Sequence, residues 1–185
     1  MAELIQIREI TRDAWEVFRD LRLAALLDAP LAFGSSYDLE AGRTDEQWQE
    51  PRRWSNGARF VAEIDGARVG IAAVYLRTEE RDPDPVPELV SMWVDPDYRG
   101  TGVGRALVDA VAEWVIEHGF AELRLMVAAD NPEAERFYER LGFARNGYVQ
   151  PMPHHEDRPE IEMTRALGCD YPTSNEPMTV SPSER

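Results

Sequence analysis

The chain has 185 residues, 43% of them hydrophobic and 30% charged, with a formal net charge of −15 and an isoelectric point near 4.6. That balance suits a soluble globular protein with a real core, while the excess of acid argues against nucleic acid and anionic membranes as partners and mildly favours a cationic ligand, although solubility alone is the plainer explanation. A single cysteine, Cys169, excludes an internal disulfide, no run is apolar for long enough to span a bilayer, and Met1-Ala2-Glu3-Leu4 lacks the blocks of a secretion signal, so a cytoplasmic location is expected.

Leu4 to Ile10 alternates apolar and polar residues and reads as an edge strand. Thr11 then caps a helix whose apolar face is Trp15, Phe18, Leu21, Arg22, Leu23, Leu26 and Leu27, and Asp28-Ala29-Pro30 stops it. Leu31 to Tyr37 is expected to be a loop with aromatic content. Thr44-Asp45-Glu46-Gln47 has the form of a capping box, in which a hydroxyl and an amide side chain satisfy each other's backbone donors, so a second helix should start there and end near Trp54-Ser55-Asn56-Gly57. Arg59 to Ile64 and Arg68 to Leu76 read as strands joined by the hairpin signal Asp65-Gly66. Arg77 to Pro87, with three prolines and several charges, is expected to be a solvated loop.

The most informative stretch follows. Glu88-Leu89-Val90-Ser91-Met92-Trp93-Val94 is a short, apolar strand ended by Asp95-Pro96-Asp97. Arg99-Gly100-Thr101-Gly102-Val103-Gly104 then leads into a helix from Arg105 to His118, whose apolar residues recur at helical spacing. A glycine-rich turn before a helix leaves backbone N–H groups without partners and lets an anion approach them, which makes a phosphate cradle. The spacing fits neither a P-loop nor a dinucleotide fingerprint, and a plain strand-to-helix connection remains the alternative.

Ala121 to Val127 reads as a strand. After it, Asn131 caps a short helix with Pro132 at its first position, Glu133 and Glu135 near its positive end and Gly142 beyond its last turn. Gly147 to Val149 and Glu160 to Thr164 are the last strands, joined by Pro151 to Pro159. His154 and His155 beside Glu156 and Asp157 suggest a metal, but neighbours in one loop do not converge on an ion without a further rigid ligand, so no metal site is assigned. Residues 1–167 are expected to form one domain, with 168–185 a flexible polar tail.

Arg99-x-x-Gly102-x-Gly104 followed by Asn131-x-x-Ala134-x-x-Phe137-Tyr138-x-x-x-Gly142-Phe143 strongly resembles the GCN5-related N-acetyltransferases, over about residues 58 to 167. The resemblance implies a mixed α/β fold, a largely antiparallel sheet of six or seven strands flanked by about four helices. It implies transfer of acetyl from acetyl-CoA to an amine of a small molecule or protein, with a homodimer left open. It further implies that the pantetheine arm pairs with Met92, Trp93 and Val94. The pyrophosphate would sit on the amides of Arg99, Gly100, Thr101, Gly102, Val103, Gly104 and Arg105, with Asn131 bonded to the arm. Glu88 matches a general base of the histone-acetylating branch, and Tyr138 matches the family's general acid. Phe33, Ser35 and Tyr37 are acceptor-contact candidates, or Phe33 and Tyr37 simply close the core. The rival reading is a catalytically silent acyl-CoA-binding regulatory module.

Overall fold

The computed structural model describes residues 4–168; Cys169 and the remainder of the tail lie outside the described residues. Seven strands form one sheet: β1 (Gln6–Glu9), β2 (Gly57–Ile64), β3 (Ala67–Glu79), β4 (Asp82–Val94), β5 (Glu122–Ala128), β6 (Ala144–Met152) and β7 (His155–Ala166). Their order is β1-β2-β3-β4-β5-β7-β6, and every pairing is antiparallel except β4 with β5. Six α-helices accompany them among the described residues: α1 (Trp15–Asp28), α2 (Tyr37–Ala41), α3 (Asp45–Trp48), α4 (Pro51–Ser55), α5 (Val103–Glu117) and α6 (Pro132–Arg140).

The two faces of the sheet bury different residues because side chains alternate along a strand. On one face Phe60, Ala72, Val74, Leu89, Leu125 and Met163 pack with Leu107, Val111 and Val115 of α5, and Phe137 and Tyr138 of α6 join them. On the other, Val61, Ile71, Ala73 and Trp93 pack with Trp15, Phe18, Leu21 and Ala25 of α1. Burying a side chain such as Leu107, which is fully enclosed, contributes about 1.5–3 kcal/mol. On this second face α1 lies against β3 and β4 and α4 against β2, and β5 and β7 present Arg124, Glu160 and Glu162 there.

Several expectations are corrected. Arg77 to Pro87 is not a loop: β3 runs to Glu79 and β4 begins at Asp82, so only two residues turn. Pro83, Pro85 and Pro87 occupy alternate positions, so their missing N–H groups fall on one flank of the strand and leave the other free to pair. The chain after Ser36 is helical in α2, where Ser36 Oγ accepts from the Leu39 amide. The capping box at Thr44 is present, but α3 lasts four residues before Glu50 and Pro51 start α4. The expected Pro151–Pro159 connection shrinks to Pro153-His154, with His154 at φ 61°, because β6 and β7 extend up to it.

Candidate active site

Three local structures meet near the middle of the sheet. The first is the end of β4. It pairs with β5 at only two positions, Glu88 with Arg124 and Leu89 with Leu125, after which β5 continues with β7 alone. Beyond Leu89 the flank of β4 toward β5 is therefore unpaired. Its other flank carries a bulge, since Ala73 faces Val90 but Ile71 faces Trp93, and Ser91 takes φ 53°. The extra residue switches the alternation. Leu89, Met92 and Val94 point to the α5 side, while Val90 and Trp93 point to the α1 side.

The second is the turn after β4. Gly100 at φ 79° and Gly102 at φ 99° adopt left-handed conformations that favour glycine. A Cβ at Gly100 would meet nothing within 4 Å, and one at Gly102 only Ile5 at 3.7 Å, so this backbone is open on the outside. The N–H groups of Val103, Gly104 and Arg105 have no protein acceptor among the described residues, as expected for the first turn of a helix. Gly104 does a different job: a Cβ there would lie 3.1 Å from Phe137 and 3.4 Å from Met92, so it lets α5 approach α6 and β4. Thr101 Oγ1 donates to the Tyr98 carbonyl at 2.6 Å. Arg99 turns away from the open turn, donating from Nε to the Val94 carbonyl at 3.0 Å and pairing with Asp28. Asp28 also accepts from the Trp93 indole at 2.9 Å, so it ties the end of α1 to β4 and to the turn. The sequence reading missed that role, and no motif marks it. Arg105 is exposed and forms no ion pair among the described residues.

The third is α6. Asn131 Oδ1 accepts from the Ala134 amide at 3.1 Å, as a cap should. At the other end Gly142 takes φ 89°, its N–H donates to the Glu139 carbonyl at 3.0 Å, and the Phe143 N–H reaches back to the Tyr138 carbonyl at 3.1 Å. This is a Schellman cap, and its usual apolar contact is the edge-on meeting of the Tyr138 and Phe143 rings at 5.7 Å. Phe137 flanks Tyr138 at 5.1 Å. Burial among these rings pushes the Tyr138 phenol well above its ordinary range, so it stays protonated.

Glu88 is 7% exposed, and burial pushes its carboxyl up to about 7. The positive charge of Arg77, whose Nη2 lies 2.8 Å away, works against that rise, and the negative charges of Glu160, Glu79 and Glu162 add to it. Glu162 differs: burial alone would raise it, but hydrogen bonds from Arg81 and Asn146 hold it below the usual range. Glu88 and Tyr138 thus belong to opposite faces of the sheet, on either side of the gap where β4 and β5 part. The acceptor candidates are not gathered there. Phe33 lies 4.6 Å from the Arg22 guanidinium, Ser35 is buried beside Glu40, and Tyr37 is exposed at the start of α2. Arg22 and Glu40 form an enclosed ion pair at 2.9 Å, so Phe33 and Ser35 surround an internal contact.

No group of three His, Cys, Asp or Glu side chains among the described residues is arranged to hold a metal ion, and no described helix is long and apolar enough to cross a membrane.

The family model described as the acetyltransferase (GNAT) family matches residues 8–143. The chain is 36% identical over 95 residues to an uncharacterized N-acetyltransferase of Methanocaldococcus jannaschii, an alignment covering 49% of this chain and 41% of that protein. It is 33% identical over 144 residues to the mycothiol acetyltransferase of Frankia casuarinae, covering 74% of this chain and 39% of that one. It therefore spans about two-fifths of the length of these curated relatives. Among solved structures, an acetyltransferase of Salmonella typhimurium determined with acetyl-CoA superposes with a TM-score of 0.68 at 18% identity, covering 89% of this chain and 95% of that one. At that identity the likeness concerns the fold.

Proposed function

The chain belongs to the GNAT acetyltransferase family, and on that premise we propose that it is an acetyl-CoA-dependent N-acetyltransferase acting directly on a primary amine of a small molecule or a protein. The observation that carries the reading is the abrupt end of β4–β5 pairing after Glu88 and Leu89, with an open glycine turn beyond the end of the same strand.

The unpartnered amides of Val103, Gly104 and Arg105 at the positive end of α5 suit a diphosphate, and the absence of side chains at Gly100 and Gly102 lets it come close. The exposed Arg105 guanidinium adds charge at the same end. The free flank of Val90 to Val94 offers strand-like donors and acceptors to the amide-bearing pantetheine arm. Asn131 uses its carbonyl oxygen on the α6 cap, and its amide N–H groups remain for the same arm. Acetyl-CoA supplies a thioester whose carbonyl carbon an amine can attack.

An ammonium has no lone pair, so a proton must leave first. Glu88, titrating near neutrality, is the group suited to take it, directly or through water. A departing thiolate needs a proton in return. Tyr138, kept protonated by its surroundings, is the donor we assign. Amine and thioester react within one complex, with no acyl group carried by the protein.

Release of free CoA thiol from acetyl-CoA should be measured across a panel of primary amines. Amine-dependent release supports the transferase. Tight acetyl-CoA binding with no turnover on any amine would favour a regulatory module instead.

A further inference from the structure

The connection between α1 and α2 crosses the α1 side of the sheet and is held at three points. At its start Asp28 accepts from the indole of Trp93, on β4, at 2.9 Å. Three residues on, the Leu31 carbonyl accepts from Nη1 of Arg158, on β7, at 2.7 Å. The same guanidinium holds Asp130, just before α6, donating from Nε at 3.1 Å and from Nη2 at 2.6 Å. Further along, Gly34 lies close against the β6–β7 turn, since a Cβ there would be 3.1 Å from Pro153. β5 ends between these holds, its last pair being Ala128 with Glu160. The connection therefore runs from β4 to β7 over the gap where β4 and β5 part.

Beneath it lies a cavity of about 300 Å³, lined by residues 29–32 together with Asp130, Asn131 and Arg158. Asn131 is the residue that offers its amide to the pantetheine arm, so the cavity adjoins the cofactor site proposed above. The span itself is lightly held. Pro30, Leu31 and Ala32 are exposed, and among the described residues the Arg158 bond is their one hydrogen bond to the rest of the protein beyond residue 29. A segment with so few buried contacts opens at low free energy. Its covering position matters chemically, because a base able to take a proton from an ammonium also takes one from water. Water attacking the thioester carbonyl carbon would break the C–S bond and release acetate and CoA thiol, so closing such a site suppresses a side reaction.

We propose that residues 29–34 are a strap and that Arg158 is its clasp, a positioning residue that holds the strap over the β4–β5 gap and shields the thioester from water until an amine displaces it. The shielding rests on the N-acetyltransferase reading above. The clasp itself does not.

The test takes two readouts in the wild type, Arg158→Gln and Arg158→Lys. The first is hydrogen exchange, in the free protein, of the Ala32 amide, which donates to the Ala29 carbonyl at 3.0 Å inside the strap. Arg158→Gln should speed it by about tenfold or more, the factor for losing one charge-assisted hydrogen bond, with the amides of β5 unchanged. The second is hydrolysis of saturating acetyl-CoA without any amine, read as CoA thiol, which should rise by the same factor. Arg158→Lys should restore most of both, since an ammonium still bridges Asp130 and the Leu31 carbonyl. Ala32 exchange no faster in Arg158→Gln overturns the clasp. Faster exchange in β5 as well makes Arg158 a general structural tie and overturns it too. Unchanged hydrolysis with a freed strap overturns the shielding. Failure of the wild type to bind acetyl-CoA, or to acetylate any amine, overturns the transferase reading itself, while the exchange result still decides the clasp.

Discussion

Arg77 Nη2 lies 2.8 Å from Glu88 Oε1, yet the arginine side chain is 41% exposed and the glutamate 9%. The arginine also touches Glu79 at 3.3 Å, whereas the carboxylate is enclosed in the sheet. On the proposed reading, an ammonium reaching Glu88 would replace the more exposed Arg77 and leave the buried carboxylate in place.

The activity of the wild type should rise with pH through about 7, because a base assigned to Glu88 must be ionised to take a proton and burial pushes its carboxyl up to about 7. Glu88→Gln should lose that limb and fall by about 10²- to 10⁴-fold in kcat. A pH–rate profile of both proteins checks it.

The same shift predicts a stability effect. A carboxyl raised to about 7 in the fold gives up its proton near 4.5 in the unfolded chain, so its contribution is intact below about 4.5 and is lost as pH climbs through 7, by up to about 3 kcal/mol. Thermal melting should show Glu88→Gln more stable than the wild type at pH 8, with the gap closing toward pH 4.

Tyr138→Phe keeps both ring contacts and the Schellman cap and removes only the hydroxyl. Steady-state kinetics should show kcat lowered by roughly tenfold to several-thousandfold, with acetyl-CoA affinity nearly unchanged. An unaltered rate would remove Tyr138 from the chemistry.

Gly102→Leu and Gly66→Leu both force a side chain onto a left-handed backbone, at φ 99° and 81°, and each should lose about 1–2 kcal/mol of stability. Only Gly102→Leu should weaken acetyl-CoA binding, measured by calorimetry, because Gly66 turns the remote β2–β3 hairpin.

Glu40→Ala strands Arg22 inside the fold, since the pair is 10% and 5% exposed. Denaturant unfolding should show a loss of about 3–5 kcal/mol.

Much of this was legible in the residues. Asn131, Pro132 and Gly142 marked both ends of α6, Asp65-Gly66 marked its hairpin, and the glycines after Arg99 marked the open turn, because each meets a local backbone requirement. What escaped was decided by distant contacts. The bulge at Ser91 leaves no local sign, since a serine at positive φ is held by pairing on the neighbouring strand. The prolines of β4 suggested a loop because their effect depends on which flank is paired. Glu160 carries a charge that suggests surface, and only the assembled sheet shows it enclosed, while Arg22 stands on the apolar face of α1 with nothing in the sequence to mark Glu40 as its partner. Gly104 lies in the motif read as a phosphate cradle, yet it serves packing against Phe137.

A crystal structure with coenzyme A bound tests the central claim most directly. The account predicts the diphosphate on the amides of Val103 to Arg105 and the arm along Met92 to Val94, its sulfur in the gap between β4 and β5 near Tyr138. A nucleotide bound at another surface, with that turn and gap empty, would contradict it.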